Sequence, residues 1–294
     1  MSLTVKNILY ATDFSEAAEA ALPYVRGLAM RYGAMVHAVH VHLPGYKPVA
    51  EPEKMSDFER AALEQIKIET EQLNAMLAGI PHDVCVCAGK LWPTLLNIAQ
   101  QRSIDLIVIG TRGRTGAGRV LLGSVAEEIF RSARCPVLTI GPHVAPHISN
   151  DTEDSLELRQ VLYATDFTPG SLSALPYAAS LKEEYQAKLT VLHVVSETEN
   201  GKLIHAETYG KNLLKRLREL LPAGEKFQID IDFKIEHGVA AEKILQVATA
   251  LHADLIVLGV RKVDESIGIV THLSRPTAHR ILAHAECPVL TVRG

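Results

Sequence analysis

The 294-residue sequence lacks the features that mark exported, membrane-bound and nucleic-acid-binding proteins. No apolar run approaches the roughly 20 residues that a membrane-spanning helix requires. The first residues, MSLTVKNILYATDF, contain neither the apolar core nor the cleavage site of a signal peptide. A formal net charge of -4 lacks the basic excess of general nucleic-acid binders. We therefore expect a cytoplasmic protein with neither membrane nor nucleic-acid partners.

Cysteine is also scarce, with four residues in the chain. Cys85 and Cys87 alternate along a predicted strand, a spacing that differs from the CxxC of metal and redox loops. In a reducing cytosol we expect all four thiols to be free and to pack as small apolar side chains.

What the sequence does contain is a regular alternation of apolar strands and helices. The first half predicts five strands with the sequences NILYATDF, MVHAVHVH, DVCVCAG, DLIVIG and CPVLTIG. The intervening segments predict helices over residues 15–32, 56–77, 92–102 and 124–134. Strands joined by helical crossovers form a mainly parallel α/β sheet.

The same pattern then occurs a second time, about 150 residues later. YATDF (residues 10–14) returns at residues 163–167, and DLIVIG and CPVLT also return. We therefore predict a duplicated domain, with residues 1–143 and 157–294 as the two copies and the polar segment 144–156 as the linker. Each copy ends in an apolar strand that would aggregate if it were left as a sheet edge. We expect these two strands to pair in an intramolecular pseudo-dimer; whether two chains also form a homodimer is left open.

The segment after DLIVIG is the most informative part of the first copy. It carries five glycines between Gly110 and Gly123, three arginines and no acid. Ser124 with Glu127 then has the spacing of a capping box, which predicts the start of a helix. Glycines and positive charge delivered to a helix N-terminus favour an anion, most plausibly a phosphate.

These residues resemble a known family. Gly110-x-x-Gly113, nine further residues and Gly123-Ser124 match the glycine signature of ATP-binding universal stress proteins. Asp13 at the end of the first strand and the terminal CPVL strand are also similar to theirs. The resemblance implies two Rossmann-like domains, each an open five-stranded parallel sheet of order 3-2-1-4-5 with helices on both faces. Ligands enter such sheets where the connections of neighbouring strands diverge, here between strands 1 and 4.

The resemblance also implies which residues hold ATP, with or without Mg²⁺. Asp13 would contact the ribose or adenine end, next to Thr12, and the backbone of Val41 would meet the adenine. The loop would hold the ribose and phosphates and balance their charge through Gly110, Arg112, Gly113, Gly123, Ser124 and the amide of Val125.

Other interpretations of these residues stay open. Ser124 also suits a helix cap without a ligand, and Asp13 also suits a turn that precedes the helix cap Ser15. His40 and His42 share a face of the second strand, but the sequence places no third or fourth metal ligand beside them. A half-buried strand with polar ends is the favoured interpretation of these histidines.

The second copy departs from the glycine signature. Lys262 stands where the first copy has Gly113, and Arg275-Pro276 stands in place of Gly123-Ser124. A proline at that point removes a donor N–H, and the longer loop contains two acids that repel phosphate. We therefore predict one nucleotide per chain, bound in the first domain.

Three functions remain compatible with the sequence. The leading one is a stress-response protein in which ATP is a regulatory or sensing ligand. The second is a slow ATPase or autophosphorylating enzyme, for which no catalytic residue can be assigned. The third is a nucleotide-free scaffold or partner-binding module.

Overall fold

The computed structural model describes residues 4–42, 57–110, 128–129, 133–141, 143–144, 156–195, 231–260 and 275–294. In the first copy the strands and helices are β1 (Asn7–Ala11), α1 (Glu16–Glu19), α2 (Leu22–Tyr32), β2 (Met35–His42), α3 (Asp57–Met76), β3 (His82–Ala88), α4 (Leu91–Gln101), β4 (Leu106–Gly110) and β5 (Val137–Ile140). In the second copy they are β6 (Gln160–Ala164), α5 (Pro169–Leu172), α6 (Leu175–Tyr185), β7 (Lys188–Val195), β8 (Ile231–His237), α7 (Ala240–Ala250), β9 (Leu255–Val260), α8 (Arg275–His284) and β10 (Val289–Arg293).

The strands form one ten-stranded sheet with the order β3-β2-β1-β4-β5-β10-β9-β6-β7-β8. Each half therefore has the predicted order 3-2-1-4-5, and all pairs within a half are parallel. The predicted α/β fold and the order of its strands are confirmed. The two halves meet at β5 and β10, which pair antiparallel.

Equivalent residues of the two halves face each other at this junction. Leu290 of β10 pairs with Leu138 of β5, its counterpart in the repeat. On α2 and α6, Arg31 Nε donates a 3.0 Å hydrogen bond to its own counterpart, Glu184. The Arg31 guanidinium also lies 4.9 Å from the centre of the Tyr185 ring. These contacts make a pseudo-two-fold arrangement within one chain.

Helices cover both faces of the sheet and enclose a core on each. Tyr10, Tyr24 and Leu73 are buried on the face that carries α2 and α3. Leu9 and Leu95 are buried on the opposite face, beside α4. Both cores continue into the second half, so the sheet is covered across the junction. Among the helices that the structure describes, none is long and apolar enough to cross a membrane.

One predicted helix is divided in two. The sequence predicts a single helix over residues 15–32, whereas the structure has α1 and α2 with a turn between them. Pro23 occupies the first turn of α2. Because proline has no N–H, it cannot continue the helical hydrogen bonds of α1. The repeat has the same break, with Pro176 in the first turn of α6.

The cysteines are free thiols, as predicted, but they are not equally buried. Cys287 is buried, whereas Cys85, Cys87 and Cys135 are half-buried. Cys85 and Cys87 are less buried because they belong to β3, the last strand at one edge of the sheet. Cys287 is therefore the thiol that packs in the core as a small apolar side chain.

Candidate functional site

The sheet brings four of the predicted site residues to one edge. Ala11 at the end of β1 pairs with Val39 of β2 on one side and with Ile109 of β4 on the other. Thr12 and Asp13 follow β1 directly, and Gly110 ends β4. Val41 lies two residues beyond Val39 on β2. The crevice at the carboxyl ends of β1, β2 and β4 is thus the topological switch point of the first half.

Asp13 lies in a tight turn between β1 and α1. Its Oδ1 accepts a 3.0 Å hydrogen bond from Ser15 N, and Thr12 Oγ1 accepts one of 3.0 Å from Phe14 N. Phe14 has a φ of 56°, in the left-handed region. Ser15 then caps α1 by accepting from Ala18 N. One carboxylate oxygen of Asp13 is therefore committed to the turn, as the structural interpretation of this residue predicts.

The second half repeats this turn closely. Asp166 Oδ1 accepts from Thr168 N at 3.0 Å, Thr165 Oγ1 accepts from Phe167 N at 3.0 Å, and Phe167 has a φ of 59°. The turn is thus a property of the fold in both halves. It presents an aspartate at the switch point whether or not the glycine signature follows.

Gly110 has a packing role that the sequence did not indicate. A Cβ added there would lie 2.6 Å from the carbonyl carbon of Ala17 and 2.9 Å from the nitrogen of Ala18. The backbone of α1 occupies the space that any other side chain would need. In the second half, a Cβ added at Gly259 would likewise lie 2.5 Å from the Cα of Ser171. The glycine at the end of each fourth strand is therefore required by helix packing, independently of any ligand.

The other predicted phosphate-binding residues lie outside the described part of the chain. These residues are Arg112, Gly113, Gly123, Ser124 and Val125.

In the second half, the corresponding crevice contains an open cavity of about 150 Å³. Its polar wall includes Thr165 and Asp166, and its apolar wall includes Val194, Ile244 and Leu258. This mixture of one acid with apolar walls is typical of small-molecule sites. The fold thus leaves a cavity at the switch point.

His40 connects the turn to β2. Its Nδ1 lies 2.8 Å from the carbonyl oxygen of Thr12, and its ring centre lies 4.9 Å from that of Phe14. His193 makes the same contact with Thr165 O at 2.8 Å. A carbonyl oxygen only accepts hydrogen bonds, so Nδ1 carries the proton in both histidines. The buried histidine supports the turn in each half.

The third histidine of β2 faces the other side of the sheet. His37 Nε2 lies 3.3 Å from Asn7 Oδ1, and His37 Nδ1 lies 3.6 Å from Asp83. Burial lowers the pKa of His37, and the nearby Asp83 carboxylate partly opposes that shift. His37 thus lies on the opposite face of the strand from His40 and His42 and is separate from them.

Sequence reasoning missed the buried acid that faces His40 and His42. Glu69 of α3 is 5% exposed, and its Oε2 lies 2.6 Å from His42 Nε2. A signal was present, because Glu69 lies four residues before the buried Leu73 on one stripe of α3. A charged residue at such a position is almost never buried without a partner.

Taken together, the fold and the crevice define a doubly wound α/β protein of tandem Rossmann-like halves, with a ligand-type crevice at each switch point. The universal stress protein family model matches residues 4–141 and 157–293, so the chain belongs to the universal stress protein family. A universal stress protein of Methanocaldococcus jannaschii is 30% identical over 167 residues, which cover 48% of this chain and 97% of that protein. One of Thermus aquaticus is 32% identical over 136 residues, which cover 46% of this chain and 98% of that protein.

The likeness extends to solved structures. The crystal structure of a universal stress protein from Archaeoglobus fulgidus superposes with a TM-score of 0.65 and covers 98% of both chains at 20% sequence identity. At that identity the match supports the tandem fold and carries no conclusion about ligands.

Proposed function

We propose that this chain is a cytoplasmic stress-response protein that holds one ATP in its first domain, residues 1–143, as a regulatory or sensing ligand. The observation that supports this proposal best is the convergence of Asp13, Val41 and Gly110 at the switch point of the first half. In the sequence, the glycine- and arginine-rich segment begins directly after Gly110, and this order also supports the proposal.

The chemistry of the crevice is compatible with a nucleotide. The equivalent crevice of the second half combines one acid with apolar walls, as ordinary ligand sites do. An adenine ring suits apolar walls, and an aspartate suits hydroxyl groups of a ribose. Because one oxygen of Asp13 is held by the turn, the carboxylate is oriented before a ligand arrives. The second domain, residues 157–294, keeps the turn but has lost the glycine signature.

The first experiment identifies the nucleotide. The purified chain is denatured, and released adenine nucleotide is identified by ultraviolet absorbance and mass spectrometry. Intact ATP supports the sensing role, ADP supports the slow ATPase, and the absence of nucleotide supports the scaffold. Calorimetric titration of nucleotide-free protein should then give a stoichiometry of one, and a stoichiometry of two would contradict the proposal.

Matched variants test the site. Asp13→Asn preserves the turn, because asparagine makes the same turn hydrogen bond, but it removes the charge. Loss of a charged hydrogen bond should weaken ATP binding by about 10-fold or more. Asp166→Asn makes the identical change in the second half and should leave the affinity unchanged. The assignment of Asp13 would be overturned if the two variants weakened ATP binding equally, or if neither weakened it. Gly113→Glu should abolish binding, and it avoids the packing defect that a change at Gly110 introduces.

A further inference from the structure

His40, His42 and Glu69 form a cluster between β2 and α3. His42 Nε2 lies 2.6 Å and His40 Nε2 lies 3.8 Å from the same oxygen, Glu69 Oε2. One ligand atom from each residue lies within 4.8 Å of the others. The two imidazole rings meet edge to face, with their centres 4.7 Å apart. We propose that these three side chains bind a divalent transition-metal ion, with Zn²⁺ as the best match.

The tautomer of His40 supports this assignment. Its Nδ1 proton is used by the carbonyl of Thr12, so the neutral ring presents the lone pair of Nε2 toward Glu69. A backbone carbonyl that holds the outer nitrogen is the usual way in which proteins orient a metal-binding histidine. The contact thus makes His40 a ready ligand through Nε2.

The carboxylate is oriented in a similar way. Gln65 Nε2 donates a 2.8 Å hydrogen bond to Glu69 Oε1, which leaves Oε2 directed at the histidines. Glu69 is 5% exposed and His40 is 6% exposed, so the two ligands are removed from water. The side chain of His42 is 32% exposed, and this gives an ion a route from solvent.

The donor set selects the class of ion. Two imidazoles and one carboxylate suit Zn²⁺ and its neighbours, whereas Mg²⁺ and Ca²⁺ prefer oxygen ligands. Tetrahedral Zn²⁺ with bonds of about 2.0–2.1 Å needs ligand atoms about 3.3 Å apart, so the distances of 2.6 Å and 3.8 Å to Glu69 Oε2 must each change by less than about 1 Å. Three protein ligands leave a fourth position for water or another ligand.

The repeat supplies an internal comparison. His193 occupies the position of His40 and keeps the contact with Thr165 O, but Val195 stands where the first half has His42. In the second half, His193 thus supports the turn without a second histidine beside it. His42 is the histidine that the first half has in addition. Among the described residues, this is the only group of three with metal-ligand spacing.

Co²⁺ titration of the full chain without a histidine tag or nucleotide tests the proposal. The wild type should bind one equivalent with the visible absorption of tetrahedral cobalt, and Zn²⁺ should displace it. His42→Val, which copies the second half, and Glu69→Gln should each weaken binding by more than the roughly 10–100-fold cost of losing an outer-shell partner. Gln65→Met, which removes such a partner, should weaken it by about 10-fold.

His237→Val removes an exposed histidine of β8 and should change nothing. Circular dichroism shows whether each variant is folded. If Glu69→Gln does not fold, Co²⁺ binding by His42→Val decides the result. Unchanged Co²⁺ binding in His42→Val, no tetrahedral spectrum in the wild type, or the charge-transfer absorption of a thiolate ligand would overturn the proposal. Because nucleotide is absent throughout, the result is independent of the proposed ATP site.

Discussion

Leu138 of β5 lies opposite Leu290 of β10, its own counterpart in the repeat. A residue that pairs with its equivalent marks an isologous contact, so the pseudo-two-fold axis passes between these leucines. Each half needs this contact, because an apolar strand such as VLTI would otherwise present an unpaired edge. The duplication therefore supplies each domain with the partner that protects its last strand.

Leu138→Lys should break this junction. The leucine is 5% exposed, and replacing it removes about 2–3 kcal/mol of apolar burial and places a charge in the core. We expect a lower free energy of unfolding and larger species on gel filtration, since both terminal strands lose their cover. Leu63→Lys on α3, where the leucine is 41% exposed, is the control and should elute like the wild type. An unchanged elution volume for Leu138→Lys would contradict the protective role of the pairing.

Gly110→Ala and Gly259→Ala should destabilise the chain to a similar extent. Each added methyl group meets backbone of the short helix that follows the first strand of its half, and neither backbone can rotate away as a side chain can. Overpacking of this kind costs about 1–3 kcal/mol. Thermal unfolding measures the effect without nucleotide. Unchanged stability of both variants would contradict the packing role of these glycines.

The sequence predicted the strands and the pairing of the halves because these follow from local patterns and from the repeat, whereas the order of the strands was implied by the family resemblance. The sequence could not reveal why residue Gly110 is a glycine, since the backbone that would clash with a side chain there belongs to Ala17, which is distant along the chain. Glu69 was missed for the same reason. His42 and Glu69 are separated by 27 residues, and only the packing of α3 on β2 brings them within 2.6 Å.

Asp105 and Asp254 each clamp the start of a first strand to a fourth strand. Asp254 Oδ2 accepts 2.7 Å hydrogen bonds from Arg159 N and Gln160 N, and Asp105 Oδ2 accepts from Lys6 N at 2.8 Å. Charged acceptors strengthen such bonds, so the structure gives both aspartates a role in the sheet.

Asp254→Asn should therefore lower the free energy of unfolding by about 1–3 kcal/mol, because the neutral amide accepts the two N–H groups less strongly. Asp57→Asn at an exposed position of α3, where the side chain is 97% exposed, should change it by less than about 0.5 kcal/mol. Urea unfolding of both variants gives the comparison. If the two variants are equally stable, the clamp contributes nothing measurable.

Cys287 should make the chain less stable in alkali. Burial raises the pKa of this thiol from 9.0 to about 12. Below pH 9 the thiol is neutral in both states and its contribution is complete; above pH 9 the unfolded chain ionises first, so stability falls as the pH rises toward 12. From pH 8 to pH 10 this one thiol should account for a loss of about 1.4 kcal/mol in the free energy of unfolding. When both proteins are unfolded with urea in reducing buffer, the free energy of unfolding of Cys287→Ala should fall by about 1.4 kcal/mol less than that of the wild type over this pH range. Equal losses in the two proteins would mean that the folded state does not hold this thiol neutral.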